Sequence, residues 1–225
     1  MNVDVHQFVC HIRGHVNIGD PVSLLKERRR RPYRLQRRAV KQADTHLALA
    51  RAAFELHSTI GPSRATVSAI AEKAGVQRLT VYRHFPDVEA IFAACSAYSF
   101  AEDPPPDPEA WRSIAEPEKR LRSALLQLYS YYRRRRQLLT NLHRDAEMPA
   151  VAAALARRRQ VLAKGAVVLA EGWVGADAKT TRFLVASIGH ALHFTTWQSL
   201  AETERLTEKE VVQVMVALVQ GVTRK

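Results

Sequence analysis

The segment 65–85 reads ATVSAIAEKAGVQRLTVYRHF and concentrates hydrogen-bonding side chains beside a sparse apolar spacing. Val81 and Phe85, spaced i, i+4, form the inward pair of a short helix. That leaves Gln77, Arg78, Leu79, Thr80, Tyr82, Arg83 and His84 for its outer face. A guanidinium there can take guanine O6 and N7 together, which suits Arg78 and Arg83, while Leu79 and the Thr80 methyl can meet a thymine methyl. Tyr82 and His84, with Thr66 and Ser68 at the start of the preceding helix, suit phosphate oxygens, contacts that set register rather than read sequence. The chemistry is recognition of a base-paired duplex. No Gly-rich phosphate loop, nucleophile motif or paired-carboxylate site accompanies it, so an enzyme is not expected.

Presenting such a face requires a brace and a turn. Thr66 is placed to cap a second short helix with Val67, Ile70, Ala71 and Ala74 inward, and Gly75 supplies a left-handed turn. Ahead of them, Ala43, Leu47, Ala50, Phe54 and His57 recur at threes and fours and predict a first helix that Gly61 and Pro62 stop. Two short helices joined through a glycine after a longer one make a helix-turn-helix, whose second helix enters the major groove. Asp87 is a cap for a fourth helix reaching about Ala101, with Ile91 and Phe92 apolar.

At these residues the segment resembles the DNA-binding domain of the TetR/AcrR family of bacterial transcriptional regulators. The match is carried by Thr66, Ile70, Ala71, Ala74, Gly75, Val76, the run Thr80, Val81, Tyr82, Arg83, His84, Phe85, and the following Pro86 and Asp87, over about fifty residues ending at Phe92. The resemblance implies an N-terminal three-helix reader and a larger C-terminal helical domain that binds a small effector and dimerises. It implies a cytoplasmic repressor on a palindromic operator, released when the effector changes the spacing of the two readers. Two positions depart from the family's pattern: Val88 stands where the family usually has a phosphate-contacting Lys, and Gln77 where a Ser often caps the recognition helix.

The charge distribution agrees. Among 225 residues, 34 Lys and Arg against 22 Asp and Glu give +12. Residues 1–84 hold 15 basic and 6 acidic side chains, so the excess sits at the N-terminal end and favours a polyanionic partner. The run KERRRRPYRLQRR, with Arg28, Arg29, Arg30, Arg31, Arg34, Arg37 and Arg38, reads as an arm that could reach the minor groove or phosphates, or as a solvated tail. No apolar run reaches the roughly 18 residues a membrane span needs, and charges interrupt any signal-peptide core. Cys10 and Cys95 fit no metal or disulfide framework.

The expected division is a flexible basic extension over 1–36, the helix-turn-helix domain over 37–86 and an effector-binding and dimerisation domain over 87–225. The fold class is all-α. Four prolines in five positions, Pro104 to Pro108, mark an internal break. Beyond it the pattern predicts helices over 117–143, 149–171, 179–201 and 207–223, the last opened by a Thr207–Glu210 capping box. The run Arg133 to Arg136 sweeps a full helical turn and reads as solvated charge. His190 and His193, with His143, are expected to be core or interface histidines rather than metal ligands.

Tyr129, Tyr132, Trp173, Phe194 and Trp197, with the polar Asn141, His143 and His193, are the candidate border of an effector cavity; the aromatic set fits a solid core equally well. No cofactor is expected beyond that unidentified effector. The last two helices are apolar over more than one face, which predicts a homodimer through them, with Ala186 and Gly189 allowing close approach. The alternative function is an unregulated architectural DNA binder that uses charge alone.

Overall fold

The computed structural model describes residues 21–173 and 177–223, with side chains from Gln36 onward. Its elements are ten α-helices and short turns of tighter or wider helix, and no strand occurs among the described residues. The all-α expectation holds. Two compact units divide the chain after Thr45. The first holds the N-terminal portion of α1 (Pro21–Thr59), within which Thr45 Oγ1 donates to the Lys41 carbonyl at 2.8 Å. The helix thus starts well before the apolar stripe does: a proline is tolerated at a helix's first position, and the Leu, Lys, Glu and Arg that follow are strong helix formers. Residues 1–20, more than half of the expected extension, lie outside the described residues.

In the second unit, 46–225, the C-terminal turns of α1 pack with α2 (Val67–Lys73) and α3 (Arg78–His84). Leu49, Ala52, Ala53, Ile70, Ala71, Val81 and Phe85 form their shared core, closed by Ile91 and Cys95 of α4 (Val88–Glu102). The expected stripe of α1 holds at Ala50, Phe54 and His57, whereas Leu47 is exposed and Leu49 is fully buried in its place. Asp87 caps α4 by accepting the Ala90 N–H at 2.7 Å. One residue along from Ile91, Phe92 packs instead with Ala150, Val151 and Leu155 of α7 (Pro149–Ala170). Helix α4 therefore sits in two cores at once.

The largest core joins α5 (Pro117–Arg134), α7, α8 (Ala178–Ala191), α9 (Phe194–Gln198) and α10 (Glu208–Thr223). Two expected long helices are interrupted. The first breaks at Arg135, between α5 and α6 (Arg136–Arg144). Its guanidinium turns inward, donating to the Ser99 carbonyl at 2.9 Å and Asp103 Oδ2 at 3.0 Å. Arg135 is thus buried rather than solvated, whereas exposed Arg133, Arg134 and Arg136 pair with Glu208, Asp103 and Glu202. The second break falls at Leu192 and His193, between α8 and α9. Carbonyls released there find side chains: Tyr129 Oη donates to Ala191 at 2.8 Å, Tyr132 Oη to Leu192 at 2.6 Å and Thr196 Oγ1 to His190 at 2.7 Å. A π-helical turn, Ser199–Thr203, follows α9.

Helix α10 opens on the expected capping box, with Glu210 accepting the Thr207 N–H at 2.7 Å and Thr207 Oγ1 accepting that of Glu210 at 3.4 Å. Buried Arg120 donates to the carbonyls of Val168 and Glu171, both at 3.1 Å, and so satisfies the end of α7. No helix among the described residues is long and apolar enough to cross a membrane.

Candidate nucleic-acid interface

Helix α3 is seven residues long and owes its attitude to two side chains: Val81 is fully buried and Phe85, just past its end, is nearly so. Ile70 and Ala71 supply the matching surface on α2. Between the helices Gly75 has φ +67, a left-handed conformation that costs a residue with a Cβ about 1 kcal/mol or more. Thr66 caps α2, its hydroxyl accepting the Ala69 N–H at 3.2 Å. The hydroxyl proton of Thr66 stays available to a phosphate, and Ser68 is exposed beside it.

The opposite face of α3 is turned to solvent. Leu79 is 68% exposed and Tyr82 46%, with Gln77, Arg78 and Arg83 also exposed and Thr80 and His84 half-buried. The residues named from spacing on and just before α3 are thus at least partly open to solvent. Arg78 is already engaged on it: Nη2 donates to Tyr82 Oη at 2.8 Å and Nε to the same oxygen at 3.2 Å. The pair forms one unit along the helix, i to i+4. His84 faces the His46 ring at 6.0 Å, and its imidazole is held below its ordinary pKa by burial, His46 and Arg83. Neutral imidazole donates from one nitrogen only, so His84 offers a single donor at neutral pH.

Both departures have visible consequences. Gln77 stands at the N-cap of α3 in extended conformation and makes no side-chain cap bond. Val88 is exposed at the first position of α4, an apolar side chain beside a polar face. Spacing did not single out Arg64, which is exposed in the 3-10 turn Pro62–Arg64 just before the α2 cap. Lys73 is unlike it, being tied to Glu55 at 2.9 Å, where Arg51 also binds.

Several contacts link this reader to the helices beyond it. Asn141 of α6 donates to the carbonyls of His57 at 2.9 Å and Ser58 at 3.1 Å, at the end of α1. Asp145 accepts the Ser63 N–H at 3.0 Å, and Arg144 donates to the Ile60 carbonyl at 3.0 Å. The Arg144 guanidinium, burial working against it, and the Ser63 donors hold the Asp145 carboxyl well below the usual carboxylate range.

A cavity of about 80 Å³ lies alongside these ties, between α1, α4, α5, α6 and α7. Phe54, His57, Phe92, Phe100, Tyr131 and Leu155 are among its walls, and Arg158 is its one cation. None of the eight residues expected to border an effector space lines it. Tyr129, Tyr132, Phe194 and Trp197 are buried in the large core. Asn141 is spent on α1, and the His143 ring stacks on Phe194 at 5.4 Å. Trp173 donates to the Leu169 carbonyl at 2.9 Å, and exposed His193 is the N-cap of α9. Among the described residues no three metal-ligating side chains converge. Arg158 had a legible signal: Val151, Leu155, Arg158, Leu162, Ala166 and Leu169 follow one another at threes and fours, so a cation stands in an apolar stripe.

A short solvent-facing helix rich in hydrogen-bond donors, braced by a capped helix across a left-handed glycine, makes a helix-turn-helix. The family model of bacterial regulatory proteins of the tetR family matches residues 49–95, the segment that carries the helix-turn-helix. The whole fold is similar to that of a TetR-like transcriptional regulator from Rhodococcus sp. RHA1. There the TM-score is 0.58 at 20% identity, over 80% of this chain and 97% of that one. It is also similar to NalD, the secondary repressor of the MexAB-OprM multidrug efflux pump in Pseudomonas aeruginosa. That match has a TM-score of 0.54 at 18% identity, over 81% and 96% of the two chains. No curated protein matches the chain.

Proposed function

We propose that the protein is a cytoplasmic repressor that binds a palindromic operator as a homodimer and leaves it when a small-molecule effector, and no other cofactor, occupies the C-terminal domain. The observation that supports sequence reading is the composition of the exposed α3 face. Arg78 and Arg83 are placed for guanine, Leu79 and Thr80 for thymine methyls, and Gln77 for a base edge. Thr66, Ser68, Tyr82 and His84 serve the phosphates. A single seven-residue helix covers few base pairs, and a two-fold dimer reading two half-sites multiplies that specificity.

The dimer is favoured by apolar side chains left in solvent on α8 and α10. Phe183 is 49% exposed and Leu218 58%, Val214 is exposed as well, and Leu218 borders a shallow recess with Ala186, Met215 and Val219. Release is favoured by the position of α4, with Ile91 and Cys95 in the reader's core and Phe92 in the core of α7. An effector that prefers the non-binding spacing by about 1–3 kcal/mol already changes operator affinity 5–150-fold.

The test is selection of bound duplexes from a random pool at physiological salt. Enrichment of one inverted repeat is the expected result. Enrichment of no sequence would overturn it in favour of an architectural binder that relies on charge alone.

A further inference from the structure

Arg158 is a cation whose surroundings supply no anion. It sits in the apolar stripe of α7, and its Nε is out of solvent with no hydrogen-bond partner. Its guanidinium carbon lies 5.1 Å from the Tyr132 ring centroid and 5.5 Å from that of Tyr131. No carboxylate among the described residues forms an ion pair with it, although eleven such pairs occur elsewhere. Burial opposes its charge, and the Tyr132 and Tyr131 side chains more than offset that. Arg158 is half-buried with its Nε out of water, and a cation drawn out of solvent in this way is ordinarily paired, because desolvating it unpaired is costly. The nearby imidazoles cannot pair with it. His143 is pushed below its ordinary pKa by burial and by Arg158, His193 and Arg159, and an imidazole in either protonation state brings no negative charge to Arg158.

The cavity that Arg158 borders has the opposite character. Its other walls are aromatic and aliphatic, with Phe54, Phe92, Phe100 and Tyr131 contributing four rings. The polar groups there are few. Cys95 Sγ lies 3.3 Å from His57 Nδ1, and burial keeps that thiol protonated, pushed up to about 12. An apolar chamber with one under-satisfied planar cation favours a ligand with an apolar body and one negative group, because guanidinium and carboxylate match as two parallel hydrogen bonds.

Resting on the reading of this chain as an effector-released regulator, we propose that its effector is a compact apolar carboxylate, held through its anionic end by Arg158 and through its body by the ring-lined cavity between α1, α4 and α7. The site lies where the ligand would count. Phe54 and His57 belong to α1 and Phe92 to α4, the helices that carry the reader, whereas Leu155 and Arg158 belong to α7. A carboxylate on Arg158 with its body against Phe92 would bridge them.

The test measures binding of benzoate and butyrate to the full-length protein by calorimetry, each against its primary amide, and in parallel measures release of the selected operator. The expected result is carboxylate binding at least roughly tenfold tighter than amide binding, the scale of one charge-assisted contact. Arg158→Met, which replaces the cation with an apolar chain of similar length, should fold and bring that ratio to within about threefold of unity. Arg158→Lys keeps the charge without the planar fork and should retain an intermediate preference. Equal binding of acid and amide by the natural protein, or binding of neither, overturns the assignment without recourse to any variant. An undiminished preference in Arg158→Met overturns the role of Arg158. Carboxylates that bind through Arg158 yet leave the operator complex intact would uphold the site and defeat only the release reading. Amides that bind as well as acids and free the DNA would do the reverse.

Discussion

The side-chain amide of Asn141, on α6, donates to the backbone carbonyl of His57, at the end of α1, at 2.9 Å and across 84 residues of sequence. The same nitrogen reaches the Ser58 carbonyl at 3.1 Å, and Asn141 Oδ1 accepts from Gln137 and Arg144, each at 3.2 Å. The last carbonyls of a helix have no partner within it. Here α6 supplies one, so the reader's first helix ends on a donor more than eighty residues further along the chain. Asn141→Ala leaves those buried carbonyls unsatisfied and should cost about 1–3 kcal/mol. Denaturant melts measure the cost. Operator binding by the folded variant should persist while its response to effector weakens; a variant with full stability and full response would show that the tie is incidental.

Where this chain leaves α1, Gly61 adopts φ +92. A Cβ there would run into the Arg144 guanidinium and stand 2.8 Å from the Asp145 carboxylate. Gly61→Ala therefore combines left-handed strain with displacement of the Arg144–Asp145 pair, and a loss of about 2–4 kcal/mol is expected. Gly75→Ala has the strain without the collision, since nothing lies within 4 Å of its Cβ position. Thermal melts of the two variants should rank Gly61→Ala as clearly the worse. Equal losses would mean that strain alone decides both.

His57 fixes an acid limit. Burial lowers its pKa from 6.5 to about 4, against an opposing pull from Asp145. In the unfolded chain the ring takes its proton near 6.5, so the folded state gives up stability as pH falls from 6.5 towards 4, and keeps all of it above 6.5. The full contribution is about 3 kcal/mol. His84, His143 and His193 are lowered too and lose stability in the same direction. The difference between the protein and His57→Gln isolates the one residue. Urea midpoints should fall less steeply between pH 6.5 and 4.5 in the variant, and parallel curves would exclude the buried imidazole as the cause.

Much of the reader was legible because its determinants are local. Val81 and Phe85 are four apart on one short helix, Gly75 is the left-handed residue its turn needs, and Thr66 and Asp87 cap helices that begin one residue later. The C-terminal half was legible as helices but not in its breaks. Nothing near Arg135 or Leu192 in sequence signals an ending. Arg135 turns inward to Ser99, and the carbonyls of Ala191 and Leu192 are taken by tyrosines some sixty residues away. The aromatic residues named as a cavity border are those whose hydroxyls and rings close that core, and size and polarity alone do not separate a wall from a filling. Arg158 went unnoticed for a different reason. It is the middle of three arginines, and only the four-and-three spacing of its apolar neighbours distinguishes it from solvated Arg157 and Arg159.

The Arg78–Tyr82 unit makes a prediction for recognition. Tyr82 Oη takes two donors of Arg78, which fixes the guanidinium along the outer face of α3. Arg78→Ala should erase the preference at one base pair of each half-site and cost about 1–3 kcal/mol. Tyr82→Phe removes only the hydroxyl; it should weaken preference at that same base pair by releasing Arg78. In preference at that base pair the double variant should then lose little more than Arg78→Ala alone, whereas loss of a Tyr82 phosphate contact would weaken all sequences alike. Binding to operators varied at each position gives the cycle. Additive losses at separate base pairs would mean that the two side chains act independently on DNA.

The proposed dimer surface lies on α8 and α10. Leu218 projects from α10 with 58% of its surface exposed, although Val216 and Val219 on either side are buried in the core. Phe183 on α8 is likewise exposed beside buried Leu184. Large side chains of this kind on two packed helices are a loss unless another surface covers them. In a two-fold pair each residue is covered by the same patch of the partner, so one substitution acts twice. Leu218→Arg would bury two like charges near the axis. It should raise the dimer dissociation constant by at least about a hundredfold, on the order of 3 kcal/mol, with the monomer's melt almost unchanged. Sedimentation velocity reads the first quantity and operator titration the consequence, since a lone reader holds only one half-site. A Leu218→Arg protein that still sediments as a dimer and binds the full repeat would remove α10 from the interface.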